Sequence, residues 1–304
     1  MRKDDVDLVL LADLVGRIFP PCGHCPIERT EDGASTQVYR LRDGGKVFYL
    51  RVAEEREASL APEGYVHETL RLQGVKVPEI VFFTPFDEGL ERSIVVTTEI
   101  PGVPLTHGLS NGSMRDVLRD AGRDLAIVNS LPVDGFGWIE RDKGTTLKAL
   151  HESFRDFALE DIAIDLALLE PILTGALTTA IWRLIERADA WSRGEQAWLA
   201  HGDLDASHIF QHHGQYSGLI DFGEIRGTTQ LYDLAHANLQ DAALLPFLLE
   251  GWSAVLPLPE DFEHGLIMLS LLIGIHALAN NVRRYAPNAY RRHLVTRIQK
   301  LVAS

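Results

Sequence analysis

The residue pattern of this chain changes character once, at Ile100-Pro101-Gly102-Val103-Pro104. Before that cluster it reads mostly as strands. Val38 to Leu41 and Val47 to Val52 are β-branched and aromatic runs around Asp43-Gly44-Gly45, the composition of a hairpin. Val81 to Thr84 and Ser93 to Glu99 predict two further strands, and Pro62 to Gln73 predicts a helix stopped by Gly74. Beyond the cluster a helical period takes over, with Val117, Leu118, Ala121, Leu125 and Val128 at three- and four-residue steps. Helices are expected over 154–169 and 173–193, then a strand-rich patch from Trp198 to Phe222, then helices again. The expectation is an α+β chain: a small antiparallel β lobe over 1–100 and a larger, mostly helical lobe over 101–304. Two lobes joined by a Pro/Gly hinge leave a cleft between them.

With 304 residues and 46% hydrophobic composition, the chain can bury a large core, which excludes the disordered and fibrous classes. Lysine plus arginine number 29 against 43 aspartate plus glutamate, a net charge of -14. That balance suits cationic partners and argues against a nucleic-acid partner held by phosphate neutralisation. The start, Met1-Arg2-Lys3-Asp4-Asp5, lacks the apolar stretch of a secretory signal. Gly265 to Ala279 is the longest apolar run; it carries His276 and falls short of the roughly 20 residues that cross a bilayer. It predicts a buried helix, and no membrane partner is expected. Two cysteines make no disulfide framework and fit a reducing compartment.

The chemistry concentrates in His201-Gly202-Asp203-Leu204-Asp205-Ala206-Ser207-His208 and, after one more strand pair, Gly218-Leu219-Ile220-Asp221-Phe222-Gly223. An aspartate alone at a strand end is commonly a turn cap. Two of them, each beside a glycine, with a metal-ligand type five residues after the first, point to catalysis. Phosphoryl transfer from a nucleotide accounts for each part: Asp203 orients an acceptor hydroxyl, while His208 and Asp221 hold metal ions that bridge the phosphates.

This spacing matches the catalytic and metal loops of protein kinases, with two departures. Gly202 stands where those enzymes carry arginine, and Asp233 follows Asp221 by twelve positions with no Ala-Pro-Glu between them. A peptide-binding activation loop has no room. Through His201-Gly202-Asp203, Ile220-Asp221-Phe222-Gly223 and Asp233-Leu234-Ala235, the chain resembles the aminoglycoside phosphotransferase family of small-molecule kinases, from about Gly33 to about Ala235.

The resemblance implies a two-lobed, protein-kinase-like fold, ATP or GTP as donor, Mg2+ or Mn2+, a small cationic acceptor and a cytoplasmic setting. It places Ser35, within Asp32 to Tyr39, in the nucleotide-positioning loop. Arg51 takes the place of the strand lysine that pairs phosphates, with Lys46 the alternative cation, and Glu63 that of the carboxylate holding it, with Glu57 and Glu68 as alternatives. The Thr98 carbonyl and the Ile100 amide would meet the purine edge. His201 and Asp233 read as backbone braces.

His208 replaces the family's usual asparagine, and macrolide phosphotransferases resemble the chain there, with His-Gly-Asp-Leu and a histidine five positions after the aspartate. The implied acceptor is a macrolide or aminoglycoside antibiotic, inactivated by phosphorylation. A metabolite kinase acting on an amino alcohol or sugar is the alternative, and a catalytically silent nucleotide-binding pseudokinase is a third reading.

Cys22-Gly23-His24-Cys25 has redox-motif spacing, but prolines on both sides read as a linker. The acidic residues Glu152, Asp156, Glu160, Asp161 and Asp165 read mainly as a solvated helix face near the acceptor side, with a surface for amino groups as the other possibility. Trp182 and Trp191 are expected in the core.

Overall fold

The computed structural model describes residues 6–20, 25–30, 37–106, 111–141, 144, 146–188 and 196–303. Helix α1 (Leu8–Ile18) is capped by Asp7, whose carboxylate accepts from the Val9 amide. Strands β1 (Ile27–Arg29), β2 (Gln37–Asp43) and β3 (Lys46–Val52) lead to helix α2 (Ala61–Leu72), followed by β4 (Ile80–Asp87) and β5 (Arg92–Thr98). The sheet is antiparallel, in the order β1-β2-β3-β5-β4. Asp43 pairs with Lys46, leaving Gly44 and Gly45 in the turn with φ of 54° and 84°. Two positive φ values are what a two-residue hairpin of this twist requires.

Alternation along these strands decides which side chains face which layer. Tyr39, Leu41, Phe48, Leu50 and Val52 pack against Leu11, Leu14 and Val15 of α1. Arg51, between Leu50 and Val52, therefore points to the opposite face, where α2 lies. Pro62 and Glu63 open that helix, and Gly74 beyond its end has φ 85°.

The larger lobe contains β6 (Val103–Pro104), α3 (Asn111–Val128), β7 (Pro132–Val133), β8 (Phe136–Ile139), β9 (Ala149–His151), α4 (Phe154–Leu159), α5 (Ile162–Leu169) and α6 (Gly175–Ala188). It continues through β10 (Ala197–Ala200), β11 (Ile209–His212), β12 (Gln215–Leu219), β13 (Arg226–Thr228), α7 (Tyr232–Gln240), α8 (Leu245–Trp252), α9 (Phe262–Arg284) and α10 (Ala289–Ala303). Its strands form two small antiparallel sheets, β7-β10-β13-β8-β9 and β12-β11-β6. The architecture is two-lobed α+β.

The periodic residues of α3, Val117 to Val128, are fully buried, and Val66 and Leu70 of α2 join the same core. Helix α9 is long and apolar enough to cross a membrane, yet 67% of its apolar stretch is buried inside the protein, against α5, α7 and α10.

Three expectations need correction or closure. The helix expected over 154–169 is two, because Asp161 adopts a left-handed φ of 58°, which an α-helix does not continue through. Cys25 is buried and in a disulfide, contrary to the expected reduced thiols, while Cys22 lies outside the described residues. Trp182 packs, partly buried, against the core; Trp191 lies outside the described residues.

The connection between lobes is tight. At Gly102, with φ 104°, a Cβ would lie 2.0 Å from the Gln211 carbonyl oxygen of β11. Gly102→Ala is expected to lower stability by about 1–3 kcal/mol through overpacking and strain. Gly16→Ala in α1, where a Cβ meets open space, should stabilise by up to about 1 kcal/mol. Urea unfolding of the two variants checks both signs.

Candidate active site

The site begins where β10 ends. Asp233, in the first turn of α7, is fully buried and accepts hydrogen bonds from the backbone of His201 (2.8 Å) and Gly202 (2.9 Å) and from Asn129 Nδ2 (2.8 Å). Asn129 also donates to the Leu199 carbonyl and accepts from the Trp252 indole, so the loop is tied to the large core. Gly202 has φ 89°, and a Cβ there would lie 1.9 Å from the Glu224 carbonyl oxygen. This contact excludes any side chain, the arginine of protein kinases included.

His201 is buried with Nε2 2.8 Å from the Ile220 carbonyl, and its Nδ1 accepts from the Asp203 amide at 3.4 Å. That pattern is the neutral tautomer protonated at Nε2. Burial, with His208 beside it, holds its pKa below the ordinary histidine value. Both His201 and Asp233 act as backbone braces.

His208 lies with Nδ1 2.6 Å from the Asp203 carbonyl oxygen, so Nδ1 carries the hydrogen and the Nε2 lone pair is left over. Nε2 faces Asp221 Oδ2 at 3.9 Å. Asp221 follows β12 in a left-handed conformation, φ 64° and ψ 66°. Burial alone would raise its pKa, but Arg51, His208 and His201 outweigh it and hold the carboxyl below its usual range. Ligand bonds of about 2.1 Å on each side would span this separation, so an imidazole nitrogen and a carboxylate oxygen fit one divalent ion. Among the described residues no group of three such side chains forms.

Arg51 Nη1 lies 2.9 Å from Glu63 Oε2 and 3.6 Å from Asp221 Oδ1. Burial disfavours the Arg51 charge, but Glu63, Asp221 and Glu224 more than restore it. Glu57 and Glu68 are exposed, as is Lys46, so the pair is Arg51 and Glu63. The second oxygen of Glu63 accepts from Arg141 Nη1 at 2.9 Å, and Arg141 Nη2 donates to the Gly223 carbonyl at 2.6 Å.

Thr98 ends β5, with its amide and Oγ1 bonded to Glu79, and Ile100 is buried just beyond it. Both stand at the junction of the lobes. Ser35 lies outside the described residues.

Asp203, half exposed, faces a cavity of about 670 Å³, and its Oδ1 is 3.4 Å from His236 Nε2. Trp138, Phe154 and Phe157 form an apolar side. Arg226 stacks between the rings of Trp138 (4.1 Å) and Tyr232 (5.0 Å). The acidic segment is not a uniform solvated face. Asp165 is buried between His276 (2.7 Å) and Arg283 (2.5 Å), whereas Glu160 and Asp161 are exposed at the cavity. Sequence reasoning missed Arg141, Arg226 and His236, none of which sits in a motif.

A family model described as a phosphotransferase enzyme family matches residues 26–262. No curated protein matches the chain by sequence. The crystal structure of a thermostable mutant of aminoglycoside phosphotransferase APH(4)-Ia, in its apo form, is similar with a TM-score of 0.71 at 16% identity, over 96% of this chain and 98% of that one. The ternary complex of such a mutant with AMP-PNP and hygromycin B is similar to the same degree, TM-score 0.71 at 16% identity and the same coverage. The streptomycin-ATP-APH(2")-IIa ternary complex is similar with a TM-score of 0.58 at 14% identity, over 100% of this chain and 98% of that one.

Asp233→Ala would strip three buried donors of their acceptor. It is expected to cost about 3 kcal/mol or more, with a matching fall in the denaturation midpoint. An unchanged midpoint would show that the loop is held by something else.

Proposed function

The chain belongs to the phosphotransferase enzyme family, and on that premise we propose that it transfers the terminal phosphoryl group of ATP or GTP to a hydroxyl of a small, cationic acceptor. The observation that carries this reading is that two unlike groups adjoin. Arg51, His208 and Asp221 gather positive charge and metal-ligating atoms, and Asp203, whose carbonyl holds His208, lines the neighbouring cavity.

The purine would sit against the Thr98 carbonyl and the Ile100 amide. Arg51, held by Glu63, neutralises phosphate charge. His208 Nε2 and Asp221 would hold Mg2+ or Mn2+, which supplies charge neutralisation and orients the phosphates for in-line displacement. Asp203 accepts the hydroxyl proton as the acceptor oxygen bonds to phosphorus and the bond to the nucleoside diphosphate breaks. A nucleotide donor also implies a cytoplasmic setting. A catalytically silent role is disfavoured, because the His208 contact with the Asp203 carbonyl leaves Nε2 for a metal.

The acceptor we favour is an amino-bearing antibiotic, of macrolide or aminoglycoside type, inactivated by O-phosphorylation. The exposed carboxylates of Glu160 and Asp161 beside Phe154 and Phe157 suit a molecule with both amino groups and apolar bulk. One observation favours the second reading, an amino-alcohol or sugar metabolite kinase. Asp165 is already neutralised, and Arg283 and Arg284 line the same cavity, which suits an acceptor with fewer amino groups.

The test is a mass-spectrometric screen with Mg2+ or Mn2+, ATP or GTP, and a panel of macrolides, aminoglycosides and small amino alcohols. A one-phosphate mass gain on a panel member is expected, reduced about 100-fold or more in Asp203→Ala while nucleotide binding persists. Wild-type turnover by Asp203→Ala would contradict the assignment. Replacing the imidazole by an oxygen donor, His208→Asn, should shift preference from Mn2+ towards Mg2+. The same metal dependence in both proteins would remove His208 from the metal site.

A further inference from the structure

We propose that Arg141 is a positioning residue that latches helix α2 to the metal loop and so sets the metal-nucleotide site, itself touching neither nucleotide nor acceptor. The proposal rests on the phosphotransferase reading above. Arg141 follows β8 in the large lobe and makes three contacts across to the elements that frame the site. Its Nη1 binds Glu63 Oε1 at 2.9 Å, its Nη2 binds the Gly223 carbonyl at 2.6 Å, and its own carbonyl accepts from the Ser59 amide at 3.0 Å, in the turn before α2.

The two side-chain contacts have mechanical consequences. Gly223 is held on both sides of its Cα, because its amide donates to the Asp221 carboxylate while its carbonyl accepts from Arg141. Anchoring Gly223 in this way fixes the metal-ligating carboxylate two residues before it, whose left-handed backbone does not hold itself in place.

Glu63 is the second lever. Its buried carboxylate has two oxygens, and each is claimed by a different guanidinium, Oε2 by Arg51 and Oε1 by Arg141. While Arg141 holds Oε1, Arg51 meets Oε2 through Nη1, which also lies 3.6 Å from Asp221 Oδ1. Without Arg141, Oε1 would be left to Arg51, whose guanidinium would turn to meet both oxygens, the preferred geometry of arginine and carboxylate. That rotation would take the Arg51 charge away from Asp221 and from the phosphates. Arg141 thus divides the work between two cations. One closes the buried carboxylate, and the other stands between that carboxylate and Asp221.

The test is calorimetric titration of ADP, with and without Mg2+, into the full chain carrying Arg141→Ala, Arg141→Lys, Glu63→Gln or Arg141→Ala with Glu63→Gln. Removing a partner that orients a metal ligand is expected to weaken Mg2+-dependent ADP binding about 10- to 100-fold. Binding without Mg2+ should change little. Arg141→Lys, which keeps the charge but not the two-pronged reach, should recover part of the loss, and the double variant should lose little beyond the single ones. The Arg141 side chain is 35% exposed, so its removal opens no core cavity. Should Arg141→Ala nevertheless fold poorly, Arg141→Lys carries the same comparison. Wild-type protein that binds no ADP overturns the phosphotransferase reading and this proposal with it. Wild-type protein that binds ADP normally, with Arg141→Ala equal to it or weakened equally with and without Mg2+, overturns the proposal alone.

Discussion

A carboxylate taken out of water has to be paired, and Glu63 is such a carboxylate, 3% exposed at the start of α2. Pairing it requires Arg51 from β3 and Arg141 from the segment after β8, and Arg141 in turn requires the carbonyl of Gly223. One buried charge thereby brings four pieces of chain to a single place. The orientation of α2, the facing of β3 and the height of the metal loop all follow from satisfying it. This is also where the two lobes are pinned, since Val66 and Leu70 of the same helix pack in the core of the large lobe.

A second buried carboxylate does a different task. Among the described residues no cation forms an ion pair with Asp233; it is satisfied by backbone amides of the catalytic loop and by the Asn129 amide. Amide donors hold geometry without supplying charge, so the loop is rigid while the cleft keeps its own electrostatics. Gly202 completes the arrangement, because only a residue without a Cβ passes the Glu224 carbonyl. The division is between groups that brace, namely His201, Asp233 and Asn129, and groups left facing the cleft, namely Asp203, His208 and Asp221.

How much of this was legible in the sequence depended on distance along the chain. Asp203, His208 and Asp221 lie within one short segment, after β10, just before β11 and just after β12, so their spacing carried the geometry. Glu63 was legible as one of three candidates with Glu57 and Glu68, because Pro62 and Gly74 bracket the helix without fixing which face turns inward. Arg141 was not, since it meets Glu63 from 78 positions away and belongs to no periodic or turn signal. Asp165 was misread with its neighbours as a solvated acid; the groups that bury it, His276 and Arg283, are 111 and 118 positions distant. The break between α4 and α5 was hidden as well, because an aspartate takes a left-handed φ without the glycine that would have announced it.

The central claim is that Asp221 and its neighbours bind a nucleotide through a divalent ion. Isothermal titration of ATP into the wild-type chain and into Asp221→Ala, each with Mg2+ and with a chelator, tests it most directly. Binding that needs the ion in the wild type and is lost in Asp221→Ala is the predicted result. ATP binding that ignores both the chelator and the substitution would contradict it.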